Sequence, residues 1–181
     1  MKTALLIIDV QSGMFDHEPR ADQADAVITR LNQLAAAARA AGTPVVWVQH
    51  ERASAPLTHG SAEWQLARGL DAQPDDHYLR KTTPDSFLRT GLHQQLQQWG
   101  VGQLVIAGYA SEFCIDTTTR SAAAHGYAII LASDAHTTHD KDHASAAQIR
   151  AHENATLPKL GSFGVPILTR AAAEIAFPAN T

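Results

Sequence analysis

The sequence predicts an α/β protein, a three-layer α/β/α sandwich built on a mainly parallel, Rossmann-like sheet of six strands. Short aliphatic runs alternate along the chain with longer helical segments, as strands and helices do in repeated βα units. The aliphatic run at 4–8 is uninterrupted, which is typical of a strand covered by helices on both faces. No internal repeat or linker breaks this order, so we expect residues 1–181 to form one domain.

Each element rests on a local pattern of apolar residues and turn residues. Strands are predicted near 4–9, 45–49, 77–81, 103–108, 127–132 and 165–169. Helices are predicted near 22–41, 61–67, 88–99, 113–125 and 143–157. The first helix is rich in alanine and stops at Gly42 before Pro44, whereas Gly108 ends the fourth strand and Gly126 closes the following helix. The weakly patterned stretch 51–74 is expected to form a lid or a subunit contact.

The composition excludes several classes of partner. A chain of 181 residues with 45% hydrophobic content can bury a sizeable core, and its formal net charge of −4 offers no basic patch for nucleic acid. No apolar run is long enough to span a membrane, and the first strand begins too early to leave room for a signal peptide. One cysteine excludes an intramolecular disulfide and fits a reducing compartment, so we expect a cytoplasmic protein.

That cysteine, Cys114, lies where a strand gives way to a helix. The apolar run 104–107 ends at Gly108, and Cys114 falls in the first turn of the predicted helix. Free N–H groups and the helix dipole stabilise a thiolate there, so we expect Cys114 to be partly ionised at neutral pH. The alternative is a buried structural cysteine.

Two other polar residues follow predicted strands. Asp9 comes directly after the first aliphatic run, and Lys81 ends the third strand. A capping aspartate and a solvated loop lysine are the ordinary interpretations. However, ligands bind beyond the carboxyl ends of parallel strands, where Asp9, Lys81 and Cys114 would meet as a carboxylate base, a cation and a thiol.

At these residues the chain resembles the isochorismatase-like cysteine hydrolase superfamily, which includes nicotinamidases, N-carbamoylsarcosine amidase and streptothricin hydrolase. The resemblance runs from Ala4 to about Leu131. It rests on the segment IIDVQ, on TPDSF shortly after Lys81, and on the block GYASEFCIDTTTRSAAAHGYAIILASDA, which is the most specific of the three.

The resemblance implies particular roles. Asp9, Lys81 and Cys114 match the catalytic triad, and the Ala110–Ser111 bond matches a non-proline cis peptide. The backbone N–H groups of Ala110 and Cys114 match an oxyanion hole. Ser111 stands where the pattern more often has threonine, and both residues keep a hydroxyl. A homodimer or homotetramer without a cofactor is expected.

Ten histidines raise the question of a metal. Nicotinamidases of the superfamily carry an Asp-x-His pair and a further histidine after the second strand, but here Gln49 and His50 follow that strand, with His59 later, so the aspartate is missing. The cluster of His136, His139 and His143 matches no fixed zinc motif and is better explained as a solvated loop and helix start. We therefore expect no metal.

The predicted function is a cysteine-dependent amidohydrolase that cleaves a small carboxamide or related C–N bond through a thioester. Candidate substrate contacts are His50, Phe15 and Tyr109, for which structural or core roles are the alternatives. Two other functions stay open. One is isochorismatase-type vinyl ether hydrolysis, which need not use the cysteine, and the other is a non-enzymatic binding or redox-sensing protein in which Cys114 is an oxidisable thiol.

Overall fold

The computed structural model describes residues 1–178, so residues 179–181 of the predicted domain lie outside the described residues. The strands are β1 (Lys2–Ile8), β2 (Val45–His50), β3 (His77–Lys81), β4 (Val101–Tyr109), β5 (Ala128–Thr137) and β6 (Ile167–Arg170). The α-helices of this part of the chain are α1 (Ser12–Phe15), α2 (Ala24–Ala40), α3 (Leu92–Gln98), α4 (Asp116–Ala124) and α5 (Ala146–Thr156). A π-helical turn at Ser111–Ile115 leads into α4. The predicted α/β class is confirmed.

The six strands form one parallel sheet in the order β3-β2-β1-β4-β5-β6. The chain builds outward from β1 to β3 and then returns to place β4 on the other side of β1. The carboxyl ends of β1 and β4 therefore flank the crevice at which such sheets bind ligands. Asp9 follows β1 directly, and Ala110 follows β4.

Successive side chains of β1 enter two hydrophobic cores on opposite faces of the sheet. Leu5 and Ile7 pack with the apolar face of α2, whereas Leu6 and Ile8 pack with residues of α3 and α4. Because both faces are buried, the strand contains no alternating polar residues. Among residues 1–178, no helix is both long and apolar enough to cross a membrane.

The helix predicted at 61–67 does not form. Its carbonyl groups are bound by distant donors: the N–H of Gly13 donates to Glu63 at 2.9 Å, and the side-chain amide of Gln11 donates to Trp64 at 2.8 Å. The N–H of Ser12 likewise donates to Gln65 at 2.8 Å. These bonds replace the local i to i−4 pattern, so the segment lies as turns against α1.

Strand β5 runs five residues beyond its predicted end at 132. Ile106 pairs with Leu131, but Gly108 pairs with His136, so two steps along β4 match five along β5. This irregularity brings His136 and Thr137 beside the end of β4. A local apolar pattern does not reveal such an insertion, because the extra residues interrupt the strand periodicity.

Candidate active site

The site begins where β1 and β4 approach each other closely. Gly108 has a φ of +120°, and a Cβ added there would lie 2.1 Å from the carbonyl oxygen of Ile8. Glycine is therefore required for this approach. Gly108 does not end β4 as predicted, because the strand continues through Tyr109.

Asp9 turns its carboxylate into the site from a left-handed backbone conformation with a φ of +54°. Aspartate tolerates this region better than most residues. The Asp9 N–H donates to the carbonyl of Val48 at 2.8 Å, and the N–H of Gln11 donates to the carbonyl of Asp9 at 2.9 Å. These bonds fix the turn that follows β1.

Lys81, the last residue of β3, joins the polar groups. Its fully buried ammonium group donates to Asp9 Oδ2 at 2.6 Å and to Cys114 Sγ at 3.2 Å. It also lies 3.2 Å from His50 Nδ1 and 3.1 Å from the carbonyl oxygen of Thr83. The three N–H bonds of the ammonium group thus face four acceptor atoms. The structure brings together Asp9, Lys81 and Cys114, the three residues that the sequence selected.

Cys114 lies in the π-helical turn, where the Ile115 N–H donates to the Ala110 carbonyl at 3.1 Å. Burial and then the negative charge of Asp9 raise the pKa of its thiol to about 12, against the opposite effect of Lys81. The expectation of a partly ionised Cys114 is therefore wrong, because desolvation and the carboxylate outweigh the first helical turn. Within residues 1–178, Asp9 Oδ1 is buried without a hydrogen-bond partner, which leaves it able to accept a proton.

His50 ends β2 and lines the same site. Burial and the charge of Lys81 lower the pKa of its imidazole, which favours the neutral ring. A neutral ring can accept a hydrogen bond from Lys81 through Nδ1. His50 is thus placed both to hold the ammonium group and to meet a bound molecule.

The cis peptide lies one bond earlier than the resemblance implied, between Tyr109 and Ala110 rather than between Ala110 and Ser111. The reason is the length of β4, which extends through Tyr109 so that the strand-to-turn junction falls at Ala110. Ala110 and Cys114 both line the cavity, and their N–H groups remain the predicted oxyanion hole.

A cavity of about 440 Å³ opens above Cys114 and includes Asp9, His50 and Tyr109. Its other lining residues, which sequence reasoning did not assign to substrate contact, are Gly13, Met14, Arg52, Pro56, Leu57, Pro84 and Phe113. Phe15, a predicted substrate contact, is not among them: its fully buried ring packs beneath the site at 5.9 Å from the ring of Tyr109.

Three potential metal ligands, Asp9, His50 and Cys114, have donor atoms within 4.8 Å of one another. The Lys81 ammonium group contacts all three residues, so it already supplies the positive charge that a bound cation would otherwise bring to this donor set. Gln49 donates to the Trp64 carbonyl at 3.0 Å, and the His59 ring packs on Trp64. These residues do not fit a metal centre of the nicotinamidase kind.

A parallel α/β sheet with a thiol, an ammonium group and a carboxylate at its switch point defines the class of cysteine hydrolases. Within this class the chain belongs to the isochorismatase family: the family model for the isochorismatase domain matches residues 3–159. The family predicted from the sequence motifs is therefore confirmed.

Relatives of known name are similar over most of the chain. The protein is 38% identical over 141 residues to streptothricin hydrolase of Streptomyces noursei, a match that covers 76% of this chain and 50% of the relative. It is 28% identical over 170 residues to the ureidoacrylate amidohydrolase RutB of Methylobacterium radiotolerans, which covers 74% and 66% respectively. The chain thus spans about half the length of the streptothricin hydrolase that it matches.

The similarity to solved structures supports the same family. A crystal structure of an isochorismatase family protein superposes with a TM-score of 0.85 at 36% identity, covering 93% of this chain and 98% of that chain. This chain therefore has the fold of isochorismatase-family proteins.

Proposed function

We propose that this family member is a cysteine-dependent amidohydrolase that cleaves a small carboxamide or related C–N bond. One observation carries the proposal: the Lys81 ammonium group lies within hydrogen-bonding distance of both Asp9 Oδ2 and Cys114 Sγ. An amide requires a strong nucleophile and a proton for its leaving nitrogen, and the thiol and the carboxylate supply these.

The proposed reaction begins with a protonated thiol, which the raised pKa of Cys114 favours. As Sγ bonds to the carbonyl carbon, the thiol proton passes to Asp9, and the carbonyl π electrons move to oxygen. The N–H groups of Ala110 and Cys114 are proposed to bind this oxyanion. When the C–N bond breaks, Asp9 returns the proton to the leaving nitrogen, and a thioester remains on Cys114.

Asp9 then activates a water molecule that attacks the thioester. The products are a carboxylic acid and the regenerated thiol. Lys81 holds Asp9 and Cys114 together throughout and stabilises negative charge on either of them. Because the residues do not fit a metal centre, no step passes through a metal ion.

The cavity limits the substrate. Its volume suits a small molecule, and Met14, Leu57 and Phe113 supply apolar contacts around the nucleophile. Arg52 adds a positive charge at the wall, and among residues 1–178 its guanidinium makes no ion pair. The proposed assembly remains a homodimer or homotetramer, in which a neighbouring subunit would cover the half-exposed ring of Phe113.

The test is acylation of Cys114. The protein is screened for ammonia release from a library of small carboxamides, and a reaction with a turned-over amide is quenched and analysed by peptide mass spectrometry. We expect an acyl adduct on the peptide containing Cys114. Cys114→Ala should fold normally and show neither adduct nor turnover. Full amidase activity in Cys114→Ala would overturn the thiol mechanism. Release of pyruvate from a vinyl ether that carries an enolpyruvyl group, in place of amide turnover, would favour the second hydrolase function.

A further inference from the structure

A buried chain of hydrogen bonds supports the π-helical turn that contains Cys114. Ser111, the first residue of the turn, and His136, on the irregular part of β5, are both fully buried. Ser111 Oγ lies 2.8 Å from His136 Nδ1, and His136 Nε2 lies 3.0 Å from Asn154 Oδ1 on α5. The sequence suggested only a metal or a solvated loop for His136, and the amide mechanism does not use it.

The orientation of the Asn154 side chain determines which atom donates in each of these hydrogen bonds. The side-chain amide nitrogen of Asn154 donates to the carbonyl of Ser133 at 2.9 Å, so the amide oxygen faces His136 and must accept. His136 therefore carries its proton on Nε2. Its Nδ1 is left as an acceptor, and the Ser111 hydroxyl donates to it.

The imidazole is not suited to move protons. Burial lowers the pKa of His136 to about 4, so the ring stays neutral across the ordinary working range of pH. A neutral histidine with both nitrogens occupied fixes orientation, as a rigid link between α5, β5 and the turn.

We infer that His136 is a positioning residue, which fixes the Ser111 hydroxyl and thereby the turn that presents Cys114 and the N–H groups of Ala110 and Cys114. This inference rests on the proposed function for its catalytic consequence, since displacement of a nucleophile by even 1 Å can cost about 10²-fold in rate. Ser111, rather than the more usual threonine, fills this place, and either hydroxyl can donate to His136.

The experiment compares Ser111→Ala, Ser111→Thr and His136→Phe with Thr43→Val as a control. Thr43 is buried just before β2, at the amino ends of the strands and so away from the site. Its hydroxyl has no hydrogen-bond partner among residues 1–178. We expect Ser111→Ala and His136→Phe each to lower kcat at least tenfold with KM changed less than threefold. Ser111→Thr and Thr43→Val should stay within threefold of wild-type kcat. The double variant of Ser111→Ala and His136→Phe should lose no more than the worse single variant, because both break one link.

A second readout does not depend on amide turnover. The rate of alkylation of Cys114 by iodoacetamide, measured on protein shown to be folded by near-UV circular dichroism, should rise at least fivefold in Ser111→Ala and His136→Phe, because a loosened turn exposes the thiol. If no amide is turned over by the wild type, the proposed function fails while the alkylation rates still decide the positioning role. Unchanged kcat and alkylation in folded Ser111→Ala, or fully additive losses in the double variant, would overturn the inference.

Discussion

At the scale of single residues, the site contains a buried ion pair, one member of which moves a proton in the proposed mechanism. Lys81 and Asp9 are almost completely shielded from solvent, and each neutralises the other. Removing one charge would leave the other buried without a partner, which typically costs about 3–5 kcal/mol. A change to Asp9 should therefore affect stability and catalysis together, and the two effects must be measured separately.

Asp9→Asn should lower kcat/KM for an amide by roughly 10²–10⁴-fold, because an amide side chain can neither accept the thiol proton nor return it to nitrogen. Amides should lose more than activated esters, whose leaving groups need no proton. Initial rates are corrected for the folded fraction measured by urea denaturation, with Asp75→Asn, at an exposed aspartate, as the control. Near wild-type amidase activity in the folded Asp9→Asn protein would show that Asp9 only shapes the turn.

The raised pKa of Cys114 makes a separate prediction about reactivity. At pH 8 the native thiol should react with iodoacetamide at least tenfold more slowly than a free cysteine, whose pKa is about 8.5. Since the chain has one cysteine, the same protein unfolded in urea serves as its own reference. Native labelling as fast as that of the unfolded chain would mean that Lys81 outweighs burial and Asp9.

At the scale of elements, the contact between β1 and β4 is the geometric condition for the site. Gly108→Ala would place a Cβ against the backbone of Ile8 in a conformation that alanine rarely adopts. We expect a loss of more than ~3 kcal/mol in the free energy of unfolding, from strain and displaced strands. Gly126 also has a positive φ, but a Cβ added there would meet open space. Gly126→Ala should therefore lower the free energy of unfolding by only about 1–2 kcal/mol. Equal losses in urea denaturation would show that the close approach matters little.

Helix α5 carries a second element-level prediction. Burial and then Asp116 raise the pKa of Glu153 to about 7. Between about pH 4.5 and 7 the unfolded chain loses this proton before the native protein does, so Glu153 lowers stability as the pH rises.

Glu153→Gln should remove that penalty and exceed wild-type stability by roughly 1–3 kcal/mol at pH 8, since one pKa unit corresponds to about 1.4 kcal/mol. At pH 4 the two proteins should differ far less. Urea denaturation at both pH values provides the measurement, and Glu174→Gln, at an exposed position, is the control. A stability difference that does not change with pH would contradict the raised pKa of Glu153.

Several elements show what sequence patterns can and cannot predict. Apolar runs located the strands, and the residue types after them selected Asp9, Lys81 and Cys114, because parallel strands end at one edge. The turns at 61–67 and the link from His136 to Ser111 depend on partners far along the chain, which no local pattern contains. The charge state of Cys114 likewise depends on how deeply the folded protein buries it.

At the scale of the whole molecule, one prediction concerns metal dependence. The Lys81 ammonium group contacts the only three-residue donor set found among residues 1–178, so amidase activity should survive prolonged treatment with EDTA and dialysis. Activity is measured before and after treatment, with metal content determined by mass spectrometry. Loss on chelation that zinc alone restores would mean that a metal ion takes part despite Lys81.

The cavity wall supplied by Arg52, Pro56 and Leu57 lies outside the strands and α-helices, whereas Asp9, Lys81 and Cys114 stand at or just beyond the ends of sheet strands. Part of the cavity wall is thus encoded apart from the proposed catalytic residues, whereas Met14 and Phe113 line the cavity from α1 and from the turn that carries Cys114. A chimera that exchanges residues 51–74 with the corresponding loop of another family member would inherit that protein's preferences while keeping its own chemistry. Substitutions in the loop at 51–74 can therefore change substrate preference during evolution while the proposed catalytic residues stay the same.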